Sequence, residues 1–126
     1  MLEIGLTSQS TTIVDNNNTA IALGSGDLEV FATPAMIALM ENAAMKAVAA
    51  ELEEGSTTVG TAMNASHVKA SGVGAQITAS ATVTAVEGRK IVFKVEAHDA
   101  QGLIGEGEHT RFVVDKTKFM QKVKSL

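Results

Sequence analysis

The sequence predicts an α+β domain in which a curved antiparallel sheet wraps one long central helix, two copies pairing as a dimer. Three observations predict it. Phe31 to Gly55 holds an almost wholly apolar helix of nearly twenty residues, and such a helix belongs inside a protein rather than on its surface. From Thr57 onward the hydrophobic period changes to two, the mark of half-buried strands. The links between those strands are short, which makes consecutive strands antiparallel neighbours. One sheet has one inner face and encloses such a helix only by curling around it. A side of the helix then stays bare, and a second copy is the simplest cover.

A length of 126 residues suits a single domain, residues 1–126, with room for a real core. The chain has no Cys, which excludes disulfides, thiolate metal sites and a thiol nucleophile. A net charge of −4 argues against nucleic acid as the partner, and four Phe with no Trp or Tyr leave no platform for stacked bases. No basic segment followed by an apolar run opens the chain, and no apolar run reaches membrane-spanning length. A cytoplasmic protein with no membrane partner is therefore expected.

In chain order, Leu2, Ile4 and Leu6 alternate ahead of a Thr/Ser-rich strand that runs to Val14. Asp15-Asn16-Asn17-Asn18 is a turn, because Asn and Asp tolerate left-handed geometry and bond their own backbone. Thr19 to Leu23 reads as a second strand, and Gly24-Ser25-Gly26-Asp27 breaks it. Leu28 to Ala32 leads into the helix, either as a pocket rim or as a plain loop. Thr33 suits the N-cap, Pro34 the first helical position and Gly55 the left-handed stop. Four strands follow: Thr57 to Lys69, a second from Ile77, a third from Ile91, and Leu103 to Val114. Gly105 and Gly107 lie inside the last of these, where glycine marks a bulge or a close backbone approach. Lys116, Lys118, Lys122 and Lys124 then fall in a segment without acids. That segment is either a solvated helix pinned by Phe119, Met120 and Val123 or a positive patch for a phosphorylated ligand.

Glu41 is the sharpest candidate for chemistry. Its helical neighbours Ile37, Ala38, Ala44 and Met45 are all apolar. A carboxylate so placed is protonated, paired or used for its shifted acidity, unless it reaches water beside the polar stripe of Asn42 and Lys46. Capping alone accounts for Thr33, although a hydroxyl there also sits beside amide donors and the positive end of the dipole, where an oxyanion could be held. His67 shares a strand face with Val59, Met63 and Ala65, and a His so placed is usually a satisfied core residue. His98-Asp99 stands where a strand enters a turn. His109 points away from Glu106 and Glu108 on its strand, which argues against a metal site.

Taken together these residues resemble the hotdog fold, and within it the fluoroacetyl-CoA thioesterase-like branch. The resemblance is carried by Phe31-Ala32-Thr33, Leu39-Met40-Glu41, Val59-Gly60-Thr61-Ala62 with His67, Val86-Glu87-Gly88-Arg89, Ala97-His98-Asp99 and Gly107-Glu108-His109. It implies a homodimer or dimer of dimers that hydrolyses a small or medium acyl-CoA thioester to acid and free CoA. No cofactor is implied beyond the CoA that the substrate carries. The branch's catalytic Thr, helical Glu and His correspond to Thr33, Glu41 and His67, and its glycine near the thioester carbonyl to Gly60. Arg111 and the terminal lysines are candidates for the CoA phosphates.

Two departures accompany the resemblance. The branch has an aromatic lid before the helix, whereas Gly24-Ser25-Gly26-Asp27-Leu28 has no aromatic residue, so selectivity for a fluorinated acyl group is not expected. Pro34 offers no amide, so oxyanion donors must come from elsewhere, with Gly60 and Ala35 as candidates. Eight residues separate Thr33 from Glu41, roughly 12 Å along a helix, so the two either flank the substrate or come from different subunits. The alternatives are an acyl-CoA-binding protein without turnover and, with less support, a hydratase or dehydratase. Dehydratases of this fold carry a His before the helical Glu, and none precedes Glu41.

Overall fold

Each stretch of period-two alternation after the helix forms a strand. The computed structural model describes residues 1–126, in the order β1 (Thr7–Ile13), α1 (Ala20–Leu23), α2 (Thr33–Ala49), β2 (Ser56–His67), β3 (Gln76–Glu87), β4 (Lys90–Asp99), β5 (Gly102–Asp115) and α3 (Lys116–Lys124). The five strands make one antiparallel sheet in the order β1-β3-β4-β5-β2. Register shifts at Gly60/Ala62, Val83/Ala85 and Ala97/His98 insert bulges. Bulges bend strands and strengthen their twist, and here they curl the sheet around α2.

The helix buries Met36, Met40, Ala43, Ala44 and Val48 against the inward residues of β3 and β4, among them Ile77, Val83, Ile91 and Phe93. Ala79, Ala81 and Ala97 on the same sheet face are fully buried, and their small side chains let the helix lie close to the strands. Asn42 accepts a hydrogen bond from Ser10 Oγ at 2.6 Å and Lys46 Nζ donates to the Gln9 carbonyl at 2.7 Å, so the polar stripe of α2 is tied to β1. Only one side of α2 is covered. Ala38, Met45 and Ala49 are exposed, and Ile37 is half-buried.

Four sequence expectations are corrected. Thr19 to Leu23 is not a strand: Thr19 caps α1 by accepting from the Ala22 amide, good helix formers follow, and Gly24 ends the turn in left-handed geometry. The strands after α2 are not a simple meander, because β2 pairs with β5 and not with β3. The 68–75 link crosses the end of the sheet, with Val68 bonded to Ile104, Ser71 to Phe31 and Gly74 to Val14. Helix α2 has 17 residues and stops at Ala49, well before Gly55, whose positive φ serves the turn into β2. In α3 nothing is pinned: Phe119, Met120 and Val123 are 37–46 % exposed.

Strand β2 bonds only β5, so its other edge is free along 12 residues. Its packing on β5 depends on Gly107, where an added Cβ would collide with the Asn64 carbonyl oxygen and lie 2.6 Å from Ala65 Cα. Both of those atoms are backbone and cannot rotate away. Gly107→Ala is therefore expected to destabilise the protein by about 1–3 kcal/mol, as overpacking does. A chemical-denaturation midpoint equal to that of the parent would show that β2 adjusts without cost.

Candidate active site

The first turn of α2 and the last residue of β2 meet at one hydrogen bond. Thr33 Oγ1 and His67 Nδ1 are 2.8 Å apart. Thr33 is not the cap expected from the sequence. Ala32 occupies that position with extended backbone and no side-chain cap bond, and Thr33 is the first helical residue, ahead of Pro34. A capping hydroxyl would be committed to the backbone, whereas this one is free for His67. The ring Nε2 is buried without a hydrogen-bond partner. Burial holds the His67 pKa below 6.5, the backbone at Lys69 acting the other way. A neutral ring with its proton on Nε2 accepts the Thr33 hydroxyl at Nδ1 and can take its proton.

The pair opens into a cleft of about 270 Å³ whose apolar walls are Ala20, Val30, Phe31 and Val68. Ser25 and Lys69 also line it, so the segment before α2 is a pocket rim rather than a plain loop. Lys69 Nζ bonds Asp99 Oδ2 at 2.5 Å, and Asp99 also accepts from Ser71 Oγ at 2.9 Å and from the Gln101 amide at 2.8 Å. Lys69 foremost, then the Gln101 amide, pulls the Asp99 carboxyl down to about 2. This cluster ties the 68–75 link to the β4–β5 turn beside the cleft. A larger cleft of about 610 Å³, between the N-terminus and the start of α3, contains Lys118 but none of Thr33, Glu41, Gly60, His67 and Arg111.

Glu41 belongs to a second group. An added Cβ on Gly60 would lie 3.0 Å from Glu41 Oε2, 3.1 Å from His109 Cε1 and 3.3 Å from Arg111 Nη1. The bare Cα of Gly60 is what lets the carboxylate rest against β2. Arg111 donates through Nε to Thr58 Oγ1 at 2.8 Å and through Nη2 to the Thr58 carbonyl at 2.9 Å. His109 Nδ1 donates to the Ala62 carbonyl at 2.7 Å, which leaves Nε2 to accept from Arg111 Nη1 at 3.2 Å. Burial lowers the His109 pKa, with Arg111 adding to the effect and the Ala62 bond and Glu41 opposing it. The ring also stacks on Phe93, with centroids 6.1 Å apart.

Arg111 thus departs from the sequence expectation. It is 7 % exposed and its donors are committed to Thr58 and His109, so it faces Glu41 inside the protein rather than a phosphate in solvent. Burial lowers its pKa, and the nearby Glu41 acts the other way. None of the terminal lysines lines the cleft at Thr33 and His67. His109 and Thr58 were not marked as site residues. The available signal was the two-residue spacing of His109 and Arg111, which puts both on the inward face of β5.

Residues 14–117 match the family model described as fluoroacetyl-CoA-specific thioesterase. The chain is 43% identical over 96 residues to the fluoroacetyl-CoA thioesterase of Streptantibioticus cattleyicolor, which is 76% of this chain and 69% of that protein. A solved structure of a fluoroacetyl-CoA thioesterase superposes with a TM-score of 0.93 at 34% identity, covering 99% of this chain and 97% of that one. A hypothetical protein of Thermus thermophilus, a thioesterase superfamily member, superposes with a TM-score of 0.90 at 26% identity, over 98% of this chain and 91% of that one.

Both lowered histidines bind protons less readily folded than unfolded. As pH falls below 6.5 the unfolded chain takes up protons first, so stability declines from there down through the folded values. Asp99 acts in the same direction lower down, its contribution present above 3.8 and lost as pH falls toward about 2. Urea midpoints are expected to fall from about pH 7 to about pH 5, and less steeply in His67→Asn. A midpoint constant across that range would mean that both rings protonate freely in the folded protein.

Proposed function

The chain belongs to the fluoroacetyl-CoA-specific thioesterase family, and we propose that it hydrolyses a small or medium acyl-CoA at a site built from Thr33, His67 and Glu41. It is a thioester hydrolase acting on acyl-CoA, with the hotdog architecture of its relatives. The observation that carries the site is the 2.8 Å contact of Thr33 Oγ1 with His67 Nδ1, since it joins a hydroxyl to a base at the end of a helix. The helix N-terminus supplies a positive dipole where the carbonyl oxygen gains charge. His67 takes the proton from the attacking oxygen, either Thr33 Oγ1 or a water held in its place. The C–S bond then breaks, and His67 returns that proton to the departing CoA thiolate. Where water is the attacker this releases the acid directly. Where Thr33 Oγ1 is, a water then attacks the Thr33 ester, giving its proton to His67, and the C–O bond breaks to release the acid and restore the hydroxyl.

Glu41 enters through a second copy. Within one protomer it lies eight residues down α2, roughly 12 Å from Thr33 along the axis. The free edge of β2 and the bare side of α2 favour a homodimer in which two β2 strands pair antiparallel. A two-fold axis near Met63 and Asn64 sets Gly60 opposite the partner's His67, because residues equidistant from the axis pair. Strands so paired place opposite residues about 5 Å apart, close enough for Glu41 to face the Thr33–His67 pair of the other subunit. Each dimer then holds two composite sites. The cytoplasm is the proposed setting, and no helix of the chain is long and apolar enough to cross a membrane.

A panel of acyl-CoAs with free-thiol detection is expected to show CoA release. Thr33→Ala and His67→Ala should each lower kcat by roughly 100- to 10,000-fold. Turnover unchanged in both would remove the site. kcat/KM should rise with pH through a value below 6.5 and then level, because the base works only when unprotonated.

The composite site has its own signature. Glu41→Gln and His67→Ala dimers, each inactive alone, should regain about a quarter of the parental activity after subunit exchange, since half of the mixed dimers form and each carries one intact site. Absence of any recovery in exchanged dimers would place all three residues in one subunit.

A further inference from the structure

We propose that Phe31 is the wall that sets the acyl-chain length, an inference that rests on the thioester-hydrolase reading. Phe31 lines two spaces at once. On one side is the 270 Å³ cleft that holds Thr33 and His67. On the other is a groove of about 360 Å³ lined by Leu23, Ala35, Ala38 and Leu39. The cleft alone falls just below the range of roughly 300–1,000 Å³ that takes up larger organic ligands, so it suits a short acyl group. Ala35, Ala38 and Leu39 of α2 give the groove an apolar wall, while Thr12, Asn17, Asn18 and Asn42 form its polar side.

The wall is held firmly. Phe31 is 1 % exposed, its amide bonds the Ser71 carbonyl at 2.8 Å, and its backbone bridges Thr19 at the cap of α1. It stands two residues before Thr33, so its ring is fixed relative to the reacting hydroxyl. The segment that ends in Phe31 forms the rim of the cleft, while the groove lies between that segment and the Ala35, Ala38 and Leu39 face of the helix. Removing the ring therefore joins the two spaces without touching Thr33, His67 or Glu41. Each methylene of substrate that then enters the groove should gain roughly four-fold in kcat/KM from burial.

The test measures kcat/KM from acetyl-CoA to decanoyl-CoA for the parent, Phe31→Leu and Phe31→Ala, with thermal melts to confirm folding. The parent should favour the short end. Both variants should raise the hexanoyl-to-acetyl ratio, Phe31→Ala by about ten-fold or more. Adding Ala38→Phe, which fills the groove from an exposed helix position, should return that ratio to the parental one. Ala38→Phe alone should leave the parental hexanoyl-to-acetyl ratio unchanged, because the Phe31 ring still closes the groove. Should Phe31→Ala fail to fold, Phe31→Leu with and without Ala38→Phe decides.

A ring that matters only to the core would lower all chain lengths alike and leave the ratio fixed, which overturns the proposal. So does a parent that already prefers decanoyl-CoA and loses it on Ala38→Phe. Absence of thiol release from any acyl-CoA by the parent refutes the hydrolase reading itself, and is distinguishable because the proposal concerns only a ratio among substrates that are turned over.

Discussion

The rest of the molecule depends on one rigid object carrying two polar groups that it holds apart. Helix α2 fixes Thr33 at its first position and Glu41 two turns on, and no bend in it brings them together. Burial on one side fixes the helix: Met36, Met40, Ala44 and Val48 are fully sealed against the curled sheet. Each polar group therefore finds a different partner on β2. Thr33 meets His67 at the end of the strand, and Glu41 meets Gly60 near its middle. A separation fixed by helix geometry thus puts the two polar groups at two places along β2, a strand whose far edge is unpaired.

The group around Glu41 follows from the cost of burying charge. A carboxylate against the strand would be expensive alone, and so would a guanidinium that is 7 % exposed. Arg111 lies near the carboxylate, and Thr58 and His109 take the hydrogen bonds of its guanidinium. His109 can play this part only as a neutral ring. Its Nδ1 proton is committed to Ala62, so its Nε2 faces Arg111 as an acceptor, and burial keeps a second proton off. Charge, tautomer and the missing side chain at Gly60 are one arrangement, in which altering any member strands another.

The sequence carried the helix, the strand extents and the curling of a sheet around a bare-sided helix, because period and apolar coverage encode which surfaces must be hidden. The family resemblance pointed to Thr33, Glu41, His67 and Gly60, and the structure sets Thr33 against His67 and Glu41 against Gly60. The order of strands was less legible. Short links suggested neighbours in sequence, but the 68–75 link finds its hydrogen bonds with Ile104, Phe31 and Val14, contacts no local pattern reveals. Ala20–Leu23 misled for a similar reason, since four residues are too few to show a period and the cap at Thr19 decides their state. Arg111 was read as a candidate for the CoA phosphates, a role that needs an exposed guanidinium. Its burial follows only once β5 is known to lie between β4 and β2.

Pro34 sharpens what the helix terminus contributes. The first amides of a helix have no intrahelical partners and form a natural cradle for an oxyanion. Here the second helical residue has no N–H, and the Met36 amide already donates to the Ala32 carbonyl at 3.0 Å. The amides of Thr33 and Ala35 are what the first turn has left. The helix dipole is undiminished by the proline, but it is delivered through fewer donors, and those flank the hydroxyl that bonds His67. A terminus with only these two free amides offers fewer donors to a carbonyl oxygen than an unbroken first turn would. The proline thus removes one donor from the first turn and leaves the Thr33 hydroxyl with its flanking amides at the same end of α2.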